Sequence, residues 1–262
     1  MKVISKKPSQ FWMLLIAILL LPVIFFGLIK IFNLQGLPVY FAQLGLYAVF
    51  FILAWWGIKK DELTVSVNWK TLVGALFFTT LAWIAYALIF CAIYQVSWSD
   101  QMAALRLIPA WKIGANILST WIFVGFAEEL LFRIYFLTRI KRFFESRNLP
   151  RVSLLAILCS SLLFAVWHFP VRVFELVNGE SSWAVILLSM LVLFVIGIGF
   201  AWLFIRSNNI LLVGLVHGLM DYPLIGKDSQ LSFVILIVAI ILVEINQLRN
   251  KRNPDIPEEE DF

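Results

Sequence analysis

The feature that most constrains this chain is a series of eight long apolar segments. The hydrocarbon core of a bilayer is about 30 Å thick, so a spanning helix needs about 20 mainly apolar residues. Lipid offers no hydrogen-bond partners, and a helix satisfies its own backbone. We therefore predict an all-α, polytopic transmembrane helical bundle with spans at 11–33, 38–58, 71–94, 112–137, 152–170, 182–205, 208–225 and 231–248. The last two segments are shorter, and a re-entrant pair is the alternative for them.

The composition excludes an ordinary soluble domain. Hydrophobic residues make up 62% of the chain and charged residues only 14%, whereas soluble domains have about 45–50% and about 25%. Lys and Arg are concentrated in the loops on one side of the predicted bundle, which by the positive-inside rule places both termini in the cytoplasm. The net charge of +5 then needs no nucleic-acid partner, because these cations face anionic lipid.

The two ends of the chain and its two cysteines have simple interpretations. The apolar stretch after Lys2, Lys6 and Lys7 is too long for a signal peptide and lacks a small-residue cleavage site, so it is predicted to be a retained signal anchor. The acidic residues 258–261 are predicted to be a solvated tail. Cys91 and Cys159 have neither metal-ligand spacing nor an obvious disulfide partner, so we expect both to be packing residues.

No hydrophilic stretch is long enough for a soluble domain, so the chain is predicted to be one membrane domain. Its parts are N-terminal scaffold spans over 1–110, a core over 111–226, and the last span with the acidic tail over 227–262. Within 97–111, apolar residues recur at helical spacing. A helix on the outer membrane surface and an ordered loop are equal alternatives there.

We single out six ionisable side chains within the apolar segments. A charge at membrane depth costs about 2.5–3.5 kcal/mol on insertion scales, so such residues persist when they pair or face a polar cavity. Both histidines of the chain are among the six. The set is Glu128, Glu129, Arg133, His168, His217 and Asp221.

Glu129 and Arg133 are four residues apart, so they share a helix face and can form an ion pair. Glu128 is rotated by about 100° from Glu129 and can face another element. A purely structural ion pair near the cytoplasmic interface is the alternative. It explains Glu129 and Arg133 but leaves Glu128 without a role.

His217 and Asp221 also have four-residue spacing, and Gly214 and Gly218 would let another helix or an extended substrate approach closely. The structural alternative for this pair is a His–Asp hydrogen bond that joins two helices. His168, at the end of the fifth predicted span, taken alone is best explained as an interfacial histidine.

Together, the six residues predict chemistry with water and protons. A carboxylate that faces an imidazole can activate a water molecule as a general base. A second imidazole, with a carboxyl or amide group, can stabilise an oxyanion. The predicted reaction class is hydrolysis of an acyl bond.

The motifs Glu-Glu-x-x-x-Arg, Phe-x-x-x-His and His-x-x-x-Asn/Asp, in this order on successive spans, resemble the CPBP family. This family groups type II CAAX prenyl proteases with bacteriocin-processing proteins and is also called the Abi family. The matching residues begin at Glu128, Phe164 and His217, and the resemblance covers about 112–225.

The resemblance implies a role for each residue. Glu128 would activate the hydrolytic water and His168 would share it, while Glu129 and Arg133 would hold the helix and orient Glu128. His217 and the residue four positions later would form the oxyanion hole. That position is often Asn in the family and is Asp221 here. A carboxylate donates no hydrogen bond unless it is protonated, so Asp221 could instead orient His217 or bind a metal.

The better-supported mechanism of the family is a metal-independent glutamate protease, so the resemblance favours no cofactor. Zinc is the alternative, with Glu128, His168, His217 and Asp221 as ligands of acceptable type. The chain has no His-Glu-x-x-His zinc helix.

We therefore predict an intramembrane endopeptidase in a bacterial cell membrane. Its partners would be the lipid bilayer and a lipid-anchored or membrane-spanning peptide that enters through a lateral opening. A substrate such as a bacteriocin follows by analogy alone. The alternatives are a non-catalytic immunity or peptide-binding protein, and a small transporter with a Glu/His proton relay. The absence of inverted repeats in the sequence argues against the transporter.

Overall fold

The structure, a computed structural model, describes residues 8–34, 37–226 and 230–252. Every regular element in these ranges is helical. The lysines of the predicted signal anchor, at positions 2, 6 and 7, and the acidic tail 258–261 lie outside the described residues. The helices are α1 (Pro8–Ile31), α2 (Leu37–Lys60), α3 (Trp69–Tyr94), α4 (Trp98–Arg106), α5 (Ala110–Asn116), α6 (Gly125–Glu129), α7 (Thr138–Glu145), α8 (Val152–Val177), α9 (Trp183–Ser207), α10 (Ile210–Asp221) and α11 (Phe233–Arg252).

Two π-helical segments join α5, α6 and α7 into one continuous rod. They are π1 (Ile117–Val124) and π2 (Leu130–Leu137), and a 3-10 turn (Gln230–Ser232) precedes α11. π-helical turns are rare and occur often at functional sites. Here they flank the five-residue α6 on both sides.

Six helices are long and apolar enough to cross a membrane: α1, α2, α3, α8, α9 and α11. The predicted all-α, multi-pass membrane bundle is thereby confirmed. The predicted fourth span lies in the α5–α7 rod, and the predicted seventh is α10. The 12 residues of α10 measure about 18 Å at 1.5 Å per residue, less than the roughly 30 Å of a hydrocarbon core. The total of eight spans remains a prediction.

The outward faces of the long helices are apolar. On α3 and α9, Leu88, Leu187 and Leu188 are 62%, 69% and 63% exposed. Soluble monomers rarely expose continuous apolar surface of this kind. Lipid is the natural cover for these faces.

The core consists of two clusters. The first lies between α1, α2, the α5–α7 rod and α8, and its large members include Phe50, Phe132, Phe136, Phe164 and Trp167. The second lies between α3, α9, α10 and α11, and includes Tyr86, Phe200, Val213, Val216 and Ile235. The α5–α7 rod and α10 meet where these clusters adjoin.

Close packing and a cap fix α10 in place. The Oδ1 atom of Asn209 accepts hydrogen bonds from the first turn of α10, while its Nδ2 donates to the carbonyl of Thr71 on α3 at 2.8 Å. A Cβ at Gly218 would collide with the backbone of Trp121, and one at Gly125 with the carbonyl of Gly214. The close helix approach predicted at Gly214 and Gly218 is therefore confirmed.

Two smaller predictions have clear outcomes. Within 97–111 the chain is helical over Trp98–Arg106, with Ser97 as the N-cap. The segment is therefore a helix and not a loop, and its position on the outer membrane surface remains a prediction. Cys91 and Cys159 are free thiols, and each packs at the edge of a core cluster, as expected of packing residues.

Candidate active site

All six ionisable residues singled out in the sequence lie together where α6, π2, α8 and α10 meet. Glu128 and Glu129 are on α6, and Arg133 follows on π2. His168 lies on α8, and α10 carries His217 and Asp221. Four of the six are buried; the side chain of His168 is 18% exposed and that of Asp221 42% exposed.

The two adjacent glutamates point to different partners. Glu129 faces Arg133, one turn further along the rod, and also His217 on α10. Glu128 faces the other nitrogen of His217 and also His168 on α8. Glu128 and Glu129 therefore point to different partners, as their positions on the helix predicted.

Glu129 joins Arg133 to His217. Its Oε2 accepts a hydrogen bond from Arg133 Nε at 2.8 Å, and its Oε1 lies 2.8 Å from His217 Nδ1. Arg133 is fully buried, with its guanidinium carbon 5.2 Å from the Phe164 ring centre and 5.9 Å from that of Phe200. Cation–π attraction therefore adds to the ion pair. The expected ion pair exists, but it is deep in the protein and Arg133 does not reach the interface.

Glu128 has one oxygen aimed at both histidines. Its Oε2 lies 3.9 Å from His168 Nε2 and 3.8 Å from His217 Nε2. These separations are too long for direct hydrogen bonds. Among the residues that the structure describes, no group hydrogen-bonds this buried oxygen. A polar separation of this length is the span that one water molecule can bridge.

Hydrogen bonds and ring contacts fix both imidazoles. His168 Nδ1 lies 2.8 Å from the carbonyl oxygen of Phe164. A carbonyl only accepts, so Nδ1 carries the hydrogen and Nε2 is directed to Glu128. The His217 ring stacks on Phe200, with 4.7 Å between centres and 26° between planes.

Asp221 is the most open member of the group. Its Oδ2 lies 3.7 Å from His217 Nε2, which is beyond hydrogen-bonding distance. The predicted structural alternative, a His217–Asp221 hydrogen bond that joins two helices, is therefore wrong. His217 bonds instead to Glu129, and this bond does join two helices.

Sequence reasoning missed one polar neighbour of the site. Tyr47, on α2, packs against Trp167 and lines the same cavity as His168. A signal was available, because Gln43 and Tyr47 are four residues apart in a mainly apolar span. Neither residue is charged, so the search for intramembrane charges passed over both.

An apolar cavity opens beside His168. It has a volume of about 250 Å³ and lies between α1, α2 and α8. Tyr47 and His168 are both in its wall. The apolar part of the lining includes Phe25, Phe26, Leu46 and Trp167. The wall of the cavity is thus mainly apolar, and it becomes polar where His168 and Tyr47 line it.

A metal site needs several protein ligands that converge on one point. In the ranges that the structure covers, no group of three or more His, Cys, Asp or Glu side chains is arranged to hold a metal ion. The Nδ1 atom of each histidine contacts a protein acceptor, so Nε2 is the nitrogen that each directs towards Glu128.

One comparison with known proteins gives a match. Residues 109–223 match the family model described as type II CAAX prenyl endopeptidase Rce1-like. The matched range contains all six ionisable residues and excludes α1, α2 and α3. No curated protein and no solved structure matches the chain.

Proposed function

We propose that this chain, whose residues 109–223 match the Rce1-like family of CAAX proteases, hydrolyses a peptide bond of a membrane-anchored substrate with water activated by Glu128 and His168. The match to this family implies protease activity. One observation carries the finer proposal. Glu128 directs a buried oxygen, free of hydrogen bonds within the described residues, at two imidazole nitrogens 3.8 and 3.9 Å away.

A water molecule between Glu128 Oε2 and His168 Nε2 can donate one hydrogen bond to each. Both atoms act as acceptors, since the hydrogen of His168 is on Nδ1. The water oxygen then attacks the carbonyl carbon of the substrate, and its proton passes to Glu128. This is general-base catalysis, and it contributes typically about 10²–10⁴-fold to the rate.

Collapse of the tetrahedral intermediate breaks the carbon–nitrogen bond. The proton held by Glu128 passes to the leaving amine, and the second product is a carboxylic acid. Glu128 is regenerated as a carboxylate. Hence the reaction balances with one water consumed and no other reactant.

His217 is proposed to stabilise the oxyanion. Its Nδ1 is held by the Glu129 carboxylate, so its Nε2 is fixed on the side that faces Glu128 and Asp221. A protonated Nε2 can donate to an oxyanion in a water-poor site, where such donors are most effective. Glu129 and Arg133 have an indirect role. Glu129 holds His217, and its ion pair with Arg133 helps to fix the position of α6.

The cavity beside His168 supports a membrane-anchored substrate. Its apolar wall fits a hydrocarbon chain or apolar side chains, and His168 at its edge would lie next to the bond to be cut. Entry from the bilayer between α1, α2 and α8 would keep the apolar portion out of water. We further propose that both termini are cytoplasmic, in a bacterial cell membrane, from the distribution of Lys and Arg.

The test is cleavage of a panel of membrane-anchored reporter peptides by purified protein in detergent. Wild type would be compared with Glu128→Gln, His168→Gln and the control Glu145→Gln, which makes the same change at an exposed helix position. We expect at least a hundredfold loss for Glu128→Gln and for His168→Gln, with full activity in the control.

Equal cleavage by all four proteins would show that the site is assigned wrongly. Tight binding of reporter peptides without cleavage, unchanged in Glu128→Gln, would favour a peptide-binding protein on this fold instead.

A further inference from the structure

Trp121 ties the α5–α7 rod to the end of α10. Its indole Nε1 donates a hydrogen bond to the carbonyl of Tyr222 at 3.0 Å. Tyr222 is buried and directly follows Asp221, the last residue of α10. A buried carbonyl needs a hydrogen-bond partner, and here the rod supplies it. The bond thus joins the rod that carries Glu128 to the residue next to Asp221.

This bond continues a line of close contacts between the rod and α10. A Cβ added at Gly125 would meet the carbonyl of Gly214, and one added at Gly218 would meet the backbone of Trp121. The contacts move up α10 as they move down the rod, and Tyr222 lies one helical turn beyond Gly218. Trp121 belongs to π1, and π-helical turns occur often at functional sites. The line of contacts sets the register between the two elements.

The carboxyl of Asp221 depends on this bond more than the imidazole of His217 does. His217 is already held by Glu129 at 2.8 Å. Asp221 lies at the end of the helix, with its side chain 42% exposed and its Oδ2 3.7 Å from His217 Nε2, beyond hydrogen-bonding distance. Helix ends fray. The position of this carboxyl therefore follows the backbone that Trp121 holds.

We propose that Trp121 is a positioning residue for Asp221. Its indole fixes the backbone next to that residue and so keeps the carboxyl beside Nε2 of His217, where the oxyanion would form. A misplacement of about 1 Å can cost an enzyme about a hundredfold in rate. The inference rests on the proposed function and on the role at the oxyanion that the family resemblance gives to this position.

Two aromatic side chains of α3 hold the rest of the turn after α10. Trp83 Nε1 donates to the carbonyl of Pro223 at 2.7 Å, and the Tyr86 hydroxyl donates to that of Ile225 at 3.0 Å. Both bonds tie the turn to α3 and not to the rod. Of these three donors, Trp121 is the one that relates the turn to the element that carries the glutamates.

The experiment measures kcat and KM in the reporter cleavage assay, with thermal unfolding of each protein. It compares wild type with Trp121→Phe and with Trp121→benzothienylalanine, which keeps both rings and has sulfur in place of the N–H. Trp202→Phe is the control, because it removes an indole hydrogen bond to Glu244 that joins α9 to α11. We expect kcat to fall about three- to tenfold in both Trp121 variants, the effect of one hydrogen bond, with KM unchanged. The control should keep the wild-type kcat.

A double-mutant cycle with Asp221→Ala separates positioning from structural support. If Trp121 acts through Asp221, then Trp121→Phe should lower kcat by less than about twofold once the carboxyl is removed, because the contact to be positioned is gone. A loss by the same factor in both backgrounds is what a structural role gives, and it overturns the inference. Wild-type kcat in the benzothienylalanine variant, or in Asp221→Ala, overturns it as well.

The same assay separates this inference from the proposed function. If Glu128→Gln is inactive while both Trp121 variants match wild type, or change KM alone, Trp121 has no positioning role and the proposed function stands. If Glu128→Gln cleaves as well as wild type, the proposed function fails and this inference fails with it.

Discussion

Glu129 and His217 are 88 residues apart in the chain and are joined by a 2.8 Å contact between Oε1 and Nδ1. The other oxygen of Glu129 binds Arg133 at the same distance. One buried carboxylate therefore connects the first and the third sequence motif. It holds the imidazole whose second nitrogen faces Glu128.

Removal of one member of the buried ion pair should destabilise the protein strongly. Glu129→Gln leaves Arg133 without its charged partner in a fully buried position, and breaking such a pair costs about 3–5 kcal/mol. The double variant Glu129→Leu with Arg133→Met should lose less than the sum of the two single changes. Thermal unfolding in detergent measures each variant.

The exposed pair Lys141–Glu145 is the control for this prediction. Its side chains are about half exposed and 3.9 Å apart, so Glu145→Gln should change stability by about 0.5 kcal/mol or less. Additive losses in the double variant of Glu129 and Arg133 would mean that the two residues do not act as a pair.

Asp221→Asn should retain at least wild-type cleavage. An amide donates hydrogen bonds without being protonated, and it is the residue often found at this position in the family. Asp221→Ala, which removes the polar group, should reduce kcat by about tenfold. Cleavage of the same reporter peptide by the three proteins gives the comparison. A loss in Asp221→Asn equal to that in Asp221→Ala would mean that the negative charge is what matters.

Gly218→Ala should destabilise the protein and reduce cleavage together. The added Cβ would meet the backbone of Trp121, and overpacking of this kind costs about 1–3 kcal/mol. It would also shift α10 and with it His217. Gly27→Ala is the control, because nothing lies within 4 Å of a Cβ there.

In the control Gly27→Ala, the expected change in stability has the opposite sign. Alanine is more favourable than glycine inside a helix by about 0.5–1 kcal/mol, so Gly27→Ala should be neutral or stabilising. Unfolding temperatures that fall equally in both variants would contradict the close approach of α10 and the α5–α7 rod.

A zinc chelator should leave cleavage unchanged, because the proposed mechanism activates water with Glu128 and His168 alone. The measurement is the rate in detergent before and after prolonged chelation, followed by added zinc. Loss of activity that zinc restores would establish a metalloenzyme, with Glu128, His168, His217 and Asp221 as the ligands to test.

The sequence predicted the site residues because charge inside a membrane is costly. That cost singled out six residues, and the structure brings all six together. Four-residue spacing also predicted the Glu129–Arg133 pair, since both partners lie on one rod. The same rule placed His217 and Asp221 on one face of α10, where their side chains lie 3.7 Å apart. The hydrogen bond that the structural alternative required does not form between them. A spacing rule compares residues within one helix only. It could not predict that His217, on α10, would bind Glu129 on α6.

Other features of the site and the fold could not be predicted from intramembrane charge or from residue spacing. Tyr47 carries no charge, so its place in an apolar span appeared ordinary. The π-helical segments that flank α6 alter the angular step between residues, which a fixed step of about 100° per residue cannot anticipate. The short length of α10 depends on its cap at Asn209 and its end at Asp221, whereas hydropathy marked only a longer apolar run.

The position of Glu129 one turn before Arg133 has a consequence for how the protein is made. Their ion pair can form as soon as that stretch of helix exists, so these two charges can enter the bilayer as a neutral pair. Glu128 has no such partner on its own helix, since the histidines that face it come from α8 and α10, later in synthesis. The full set of side chains that face Glu128 is therefore assembled only once α10 has docked.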